Sequence, residues 1–474
     1  MQRRNMSRQL LGWLALAAAF AGGALSCSRD SITSPSQRVA TSALAARTQT
    51  LSVTSASPAF GDQGTTLDVH IFGSGFTAGA QATWLLNGAA DPGHVRTNGT
   101  QVISSSELVA NITIASDASL AFWDVQVSLS SGKNGVGSDA FEVTSAQILG
   151  AGTLGGSASA RTINDQLQII GTSGSIAWIY DDATGMVPLG TGGAGGLDPL
   201  GAVVVGGDGN SLPTAWIRQA DNSWSPQALP LLAGGLGGSA SSAARLADGT
   251  LLAVGRNSIA GKRTGSTYPD RPVSWQRING AWTSPQILPM PAGAASAAAQ
   301  DVNGLGQVTG TLDAPSPGIV WDGPASYTLL DGVPGRINAS GTLIVGQRKG
   351  DFVPVYWWRD PVTHAWHTTG IPLPIISTTS CTYGYARDVN DAGVIVGWSC
   401  DSSGERHAAV WQLDLSGPAP VTVGGPTFLP GLGTKVPPGT EVSVAAAVTN
   451  SAPYVVTGHA SSGNVTLAVR WLLR

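Results

Sequence analysis

One unit, written seven times between residues 146 and 474, constrains this chain more than any other feature of its sequence. Its clearest copy is Ala386-Arg387-Asp388-Val389-Asn390-Asp391-Ala392-Gly393-Val394-Ile395-Val396-Gly397, followed after a polar loop by His407-Ala408-Ala409-Val410-Trp411. Ala160 to Gly171 with Trp178, Gln300 to Gly310 with Trp321, and Arg336 to Gly346 with Trp357 repeat it. Fainter copies end at Gly206 with Trp216, Gly255 with Trp275, and Gly458 with Trp471. Self-similarity at such a period belongs to solenoids and propellers, in which no single unit can bury its own apolar face.

Each copy reads as a strand, an Asn/Asp/Gly turn, a strand ending in glycine, a variable loop and a third strand ending in tryptophan. Asn, Asp and Gly tolerate positive φ and so suit tight hairpins. A fourth strand follows in several copies, from Trp224 to Leu229-Pro230, Trp282 to Leu288-Pro289 and Trp366 to Ile371-Pro372. Four strands in about 48 residues, repeated seven times, predict a seven-bladed β-propeller over 146–474. A β-solenoid is the competing architecture, but its coils do not easily absorb loops that vary from 6 to 19 residues between glycine and tryptophan. The unit resembles the HAF family of extracellular repeats, named for a His-Ala-Phe triplet before the aliphatic-tryptophan end. Here only His407-Ala408-Ala409 keeps the His-Ala pair. That resemblance implies an extracellular repeat architecture and is almost silent on activity.

Residues 50–145 carry short alternating apolar runs at Leu51–Val53, Leu67–Phe72, Gln81–Leu85, Leu108–Ile114, Trp123–Val127 and Ala140–Val143. About seven such strands in this length predict an all-β sandwich. Ser57-Pro58-Ala59-Phe60-Gly61, Gly64-Thr65-Thr66 and Val69-His70-Ile71-Phe72-Gly73-Ser74-Gly75-Phe76 resemble the opening of an IPT/TIG domain. The resemblance implies an immunoglobulin-like spacer or interaction module without catalysis.

Ahead of these domains, Arg3, Arg4 and Arg8 precede an apolar run from Leu10 to Phe20, then Gly22, Gly23 and Ala24. This is the pattern of a signal peptide over residues 1–27, too short to span a bilayer permanently. Ala24-Leu25-Ser26-Cys27 resembles a bacterial lipobox, with Ala24 where a large aliphatic is usual; it implies acylation of Cys27, ordinary cleavage being the alternative. Residues 28–49, rich in Ser, Thr and Ala, read as a flexible tether. The expected location is the cell envelope, as an outer-membrane-anchored lipoprotein or at the cell surface, with Ser28 favouring outer-membrane sorting. In that oxidising compartment Cys381 and Cys400, flanking one repeat hairpin, are expected to form a disulfide, two buried thiols being the alternative.

The chemistry-bearing residues are sparse. Charged side chains make up 11% of the chain and its net charge is −4, which leaves no clustered basic footprint for nucleic acid. The aspartates Asp165, Asp248 and Asp391 fall in hairpin turns. No catalytic constellation, metal-ligand set or cofactor motif emerges. One periodic feature does: ten residues before the strand glycine stand Arg161, Arg245, Arg336 and Arg387. If that strand lines the propeller axis, the four form a candidate anion-binding ring; the alternative is that each satisfies a neighbouring blade's aspartate or carbonyl. The sequence therefore predicts an exported, lipid-anchored binding or structural propeller on an immunoglobulin-like spacer. Its partner would be an unidentified surface protein or glycan, and its only membrane contact the anchor. The alternative is a carbohydrate-active propeller enzyme, a polysaccharide lyase or glycosidase. That enzyme would show non-repeat carboxylates, histidines or tyrosines converging at the channel mouth.

Overall fold

The computed structural model describes residues 50–473 except 116, 120, 145, 150–153, 155, 262–268, 314–316, 377–381, 402 and 433–440; among them every regular element is a β-strand. The predicted signal peptide, tether and Cys27 lie outside the described residues, as does Cys381.

Residues 52–144 form two facing sheets. One has the order Ser52–Ser57, Thr66–Ser74, Glu107–Ile114, Val95–Ser104; the other runs Phe60–Asp62, Asn134–Thr144, Ala121–Ser128, Gln81–Leu86, Ala89–Ala90. Alternation sends Val69, Ile71, Leu108, Ala110 and Ile112 from the first sheet and Trp84, Trp123, Val125 and Phe141 from the second into one core. There the rings of Trp84 and Phe141 lie 4.7 Å apart. The longest strand missed in the sequence, Val95–Ser104, is an edge strand whose exposed face carries few apolar residues. A β-bulge between Thr97 and Gly99 leaves Asn98 without a ladder partner.

From residue 146 onward the described strands form seven antiparallel sheets, the first two continuous through the shared strand Gly185–Leu197, each with an inner strand, the glycine strand, the tryptophan strand and an outer strand. The inner strands are Ala158–Ile163, the end of Gly185–Leu197, Gly235–Arg245, Ala297–Val302, Gly332–Ile337, Gly384–Val389 and Glu441–Val448. Each packs on the preceding sheet, and the first packs on the seventh, so the ring closes. Closure is also made by hydrogen bonding: Ala146–Ile148 supplies the outer strand of the last sheet, pairing Gln147 with Arg470. The chain is thus a β-propeller joined at its two ends.

Three repeated residues explain the joint between sheets. Trp178, Trp216, Trp275, Trp321, Trp357, Trp411 and Trp471 are all at most 2% exposed. Four of these indoles, on Trp275, Trp321, Trp411 and Trp471, donate to the carbonyls of Pro230, Pro289, Pro374 and Pro430 in the preceding sheet at 2.7–2.9 Å. The buried indole gains apolar area and satisfies its one donor. This corrects the register expected in the fifth sheet: Leu373-Pro374, not Ile371-Pro372, is the equivalent of Leu229-Pro230.

The turn asparagines act across the same joint. Asn390 Oδ1 accepts from the Ala392 and Val394 amides of its own hairpin, while its Nδ2 donates to the Thr449 carbonyl of the next sheet at 3.0 Å. Asn303 repeats this arrangement onto the Asn338 carbonyl. The turn aspartates do likewise: Asp165 accepts from the Asn450 and Ser451 amides, and Asp391 from Ser340. Each such bond between sheets contributes on the order of 1 kcal/mol.

Candidate functional site: the propeller channel

Every inner strand breaks register at an equivalent point, and Gly235–Arg245 breaks it a second time near its start, between Gly235 and Gly237. The shifts fall between Ala160 and Thr162, Ala194 and Gly196, Ala240 and Ser242, Ala299 and Asp301, Pro334 and Ile337, Ala386 and Asp388, and Ala445 and Ala447. A bulge leaves one residue without a partner and re-aims its side chain. The residues released here are Arg161, Gly195, Ser241, Gln300, Gly335 with Arg336, Arg387 and Ala446, and all of them line a single cavity of about 530 Å³. Seven bulges thus turn seven backbones into one channel lining.

Three of the four predicted arginines meet there. Arg161 Nε donates to the Gly195 carbonyl of the next sheet at 3.0 Å. Burial, reinforced by the charges of Arg336 and Arg387, pushes Arg161 down to about 10. Burial also lowers Arg387, whose guanidinium lies 5.5 Å from the Tyr385 ring. Neither Arg161 nor Arg387 has a carboxylate within 4.0 Å among the described residues. Arg336 behaves differently. From the fifth sheet it reaches across the axis to the first, donating to Thr162 Oγ1 at 2.5 Å and the Arg161 carbonyl at 3.1 Å, and it pairs with Asp388 at 3.4 Å.

Thr162 and Asp388 lie on the side of the Asn/Asp/Gly hairpins, and neither borders the cavity. Arg336 is therefore a bar across that end. The cavity extends the other way, past Thr172, Gly207, Thr311 and His459 on the glycine strands, toward the loops of variable length. The two carboxylates beside the bar are already used. Asp301 accepts from Ser242 Oγ at 2.7 Å and from the Ile337 amide, and Asp388 accepts from the Val448 and Val389 amides.

Arg245 does not join the others. It pairs at 2.7 Å with Asp198, which is 0% exposed and holds the turn position of the second sheet. The third sheet's hairpin is longer, so Ser241, not Arg245, occupies the bulge there. Counting from the strand glycine assumed a constant hairpin. The turn glycine offers a warning, since Gly249 stands six residues before Gly255 whereas Gly393 stands four before Gly397.

Two residues with chemical potential went unnoticed in the sequence. Tyr385, raised by burial, and His459 both line the cavity. Burial, then the charges of Arg387 and Arg406, pushes His459 down to about 4, and its Nδ1 is buried without a hydrogen-bond partner among the described residues. Both belong to the repeat's strands, which is why they read as framework. Trp398 is 8% exposed and supports this wall, with Tyr383 edge-on at 5.7 Å and Arg406 4.9 Å from its ring. Among the described residues no group of three or more His, Cys, Asp and Glu is placed to hold a metal ion.

Compared with known proteins, the sequence matches no family and no curated protein. Among solved structures it is similar to the Cps50 (Swd1) β-propeller domain of Myceliophteria thermophila, at 10% identity and a TM-score of 0.39 over 67% of this chain and 98% of that one. An auxiliary nutrient binding protein from Bacteroides thetaiotaomicron gives 9% identity and 0.36 over 89% and 97%. TolB from Acinetobacter baumannii gives 12% and 0.31 over 65% and 77%. Likenesses at these values carry no functional argument for this chain.

Proposed function

We propose that this is an exported, lipid-anchored binding protein in which an immunoglobulin-like spacer carries a seven-bladed propeller, and that the propeller channel takes an anionic ligand. The observation that carries the reading is the pair Arg161 and Arg387: two guanidiniums in one cavity, without ion-pair partners among the described residues, above a bar made by a third. Like charges held this close need an anion or plentiful water, and charge-assisted bonds to a carboxylate or phosphate supply the first. A closed end at Arg336 and an open end among the variable loops make a blind pit suited to capture rather than passage.

Titration calorimetry with inorganic phosphate and acetate tests this. Arg161→Gln with Arg387→Gln should weaken binding at least about tenfold while melting stays within a few degrees, since both side chains keep surface open to channel water even though the walls around them desolvate their charge. Arg245→Gln should do the reverse. It strands the buried Asp198, costs about 3–5 kcal/mol of stability and leaves anion binding intact. A wild-type protein that responds to no anion would leave the arginines a framework feature.

Tyr385 and His459 favour one second reading, the carbohydrate-active enzyme. A neutral imidazole and a phenol beside arginines that neutralise a carboxylate are the groups a polysaccharide lyase needs for proton abstraction and return. The binding reading needs neither, and unsaturated product from a uronate polymer would decide for the enzyme.

A further inference from the structure

We propose that the anion taken by the channel carries hydroxyl groups beside its charge, as a sugar acid or sugar phosphate does, and that His459 is the residue that selects it over a bare ion. This rests on the reading of the channel as an anion site and narrows it to a chemical class. The arginines can only donate hydrogen bonds, so they accept any anion of suitable size without distinction. His459 is different in kind. It stands next to the strand glycine Gly458 in the last sheet, on the cavity wall, and because its Nδ1 is enclosed and unpartnered among the described residues, Nε2 is the nitrogen open to the cavity.

Surrounded by cationic side chains, this imidazole is neutral at pH 7, and the positive charge of the channel favours the tautomer that keeps the proton on the enclosed Nδ1 and turns an accepting Nε2 toward the cavity. A bare carboxylate or phosphate offers no proton to the accepting nitrogen and also strips water from it. A ligand hydroxyl satisfies it, while the charge beside that hydroxyl engages the guanidiniums. The rest of the wall has the same double character: Ser239, Ser241, Gln300 and Thr311 each donate and accept, as a ring of hydroxyls requires. A cavity of about 530 Å³ falls within the range of small-molecule sites and has room for a sugar-sized ligand.

The experiment is titration calorimetry on the exported chain at pH 7 with four probes: glucuronate against acetate, and glucose 6-phosphate against inorganic phosphate. At least one hydroxylated anion should bind about tenfold or more tighter than its bare counterpart, and the pair showing the preference identifies whether carboxylate or phosphate is the charge. His459→Leu should bring that ratio close to one, whereas His459→Gln, whose amide also donates and accepts, should retain part of it. Equal affinity for bare and hydroxylated anions, or a preference that survives His459→Leu in a folded variant, overturns the inference while leaving the anion site standing. Binding of none of the four removes the site itself and the inference with it.

Discussion

Asp388 and His459 oppose each other as the pH changes. Burial pushes Asp388 up to about 6, against the pull of Arg336 and the Val448 and Val389 amides, and burial with the charges of Arg387 and Arg406 pushes His459 down to about 4. A carboxyl raised on folding gives its full share of stability below about 4 and loses it as the pH climbs toward 6. A histidine lowered on folding gives its share above about 6.5 and loses it as the pH falls toward 4. Between pH 4 and 6 the two slopes have opposite signs. His459→Gln should therefore give a melting temperature that falls more steeply with rising pH in that window than the wild type's, and Asp388→Asn one that rises more steeply. Groups that titrate alike in all three proteins cancel from the comparison. Superimposable melting profiles from pH 4 to 6 would show that neither side chain titrates as its surroundings dictate. None of this was legible in the sequence, where Asp388 is one letter of a repeat and His459 sits in its faintest copy. Arg245 shows the same limit from the other side, since a residue that matched the periodicity found Asp198 instead of the channel.

At the scale of the strand, the repeated glycine and the bulge are one device. A Cβ on Gly397 would stand 2.0 Å from the Tyr385 carbonyl oxygen, and one on Gly458 2.0 Å from that of Val444. Gly171, Gly206, Gly255, Gly310 and Gly346 meet the carbonyls of Ser159, Gly193, Ser239, Ala298 and Val333 at 2.1–2.5 Å. The bulge kinks the inner strand, its carbonyl comes down onto the neighbouring strand, and only glycine leaves room. The sequence showed the glycine and placed the tryptophans correctly as framework, but the bulge has no letter of its own. Gly397→Ala should destabilise the protein by about 1–3 kcal/mol through this overlap. Gly425→Ala, in the outer strand of the same sheet with nothing within 4 Å of the added methyl, should stay within about 0.5 kcal/mol. Chemical denaturation of the two variants checks it, and equal midpoints would mean that the inner strand yields at no cost.

For the molecule as a whole, the ring is held shut where Ala146–Ile148 pairs with Val465–Leu472, so the strand that follows the sandwich in the chain also completes the last sheet. The proposed route outward depends on the cysteines. Cys400 is 2% exposed in the sixth sheet, opposite Arg406 in the ladder, and its proposed partner Cys381 lies outside the described residues. Intact-mass analysis of the exported protein tests both cysteine proposals together. The mature chain should begin at an acylated Cys27, and it should gain the mass of two hydrogen atoms when a thiol reductant opens the Cys381–Cys400 bond. An unacylated N-terminus would remove the anchor; thiols that alkylate without reductant would remove the disulfide.

The sequence by itself determined the all-β character, the repeated unit and the burial of its tryptophans, because turn residues, alternation and periodicity are local properties that each repeat states for itself. Only the tertiary structure decided which side chains share the axis. That depends on hairpin lengths that differ from copy to copy and on bulges that shift each strand's register. Arg161, Arg336 and Arg387 meet Tyr385 and His459 in one cavity because four separated stretches of chain close into a ring, and proximity across a ring is not written in the spacing along any one of them.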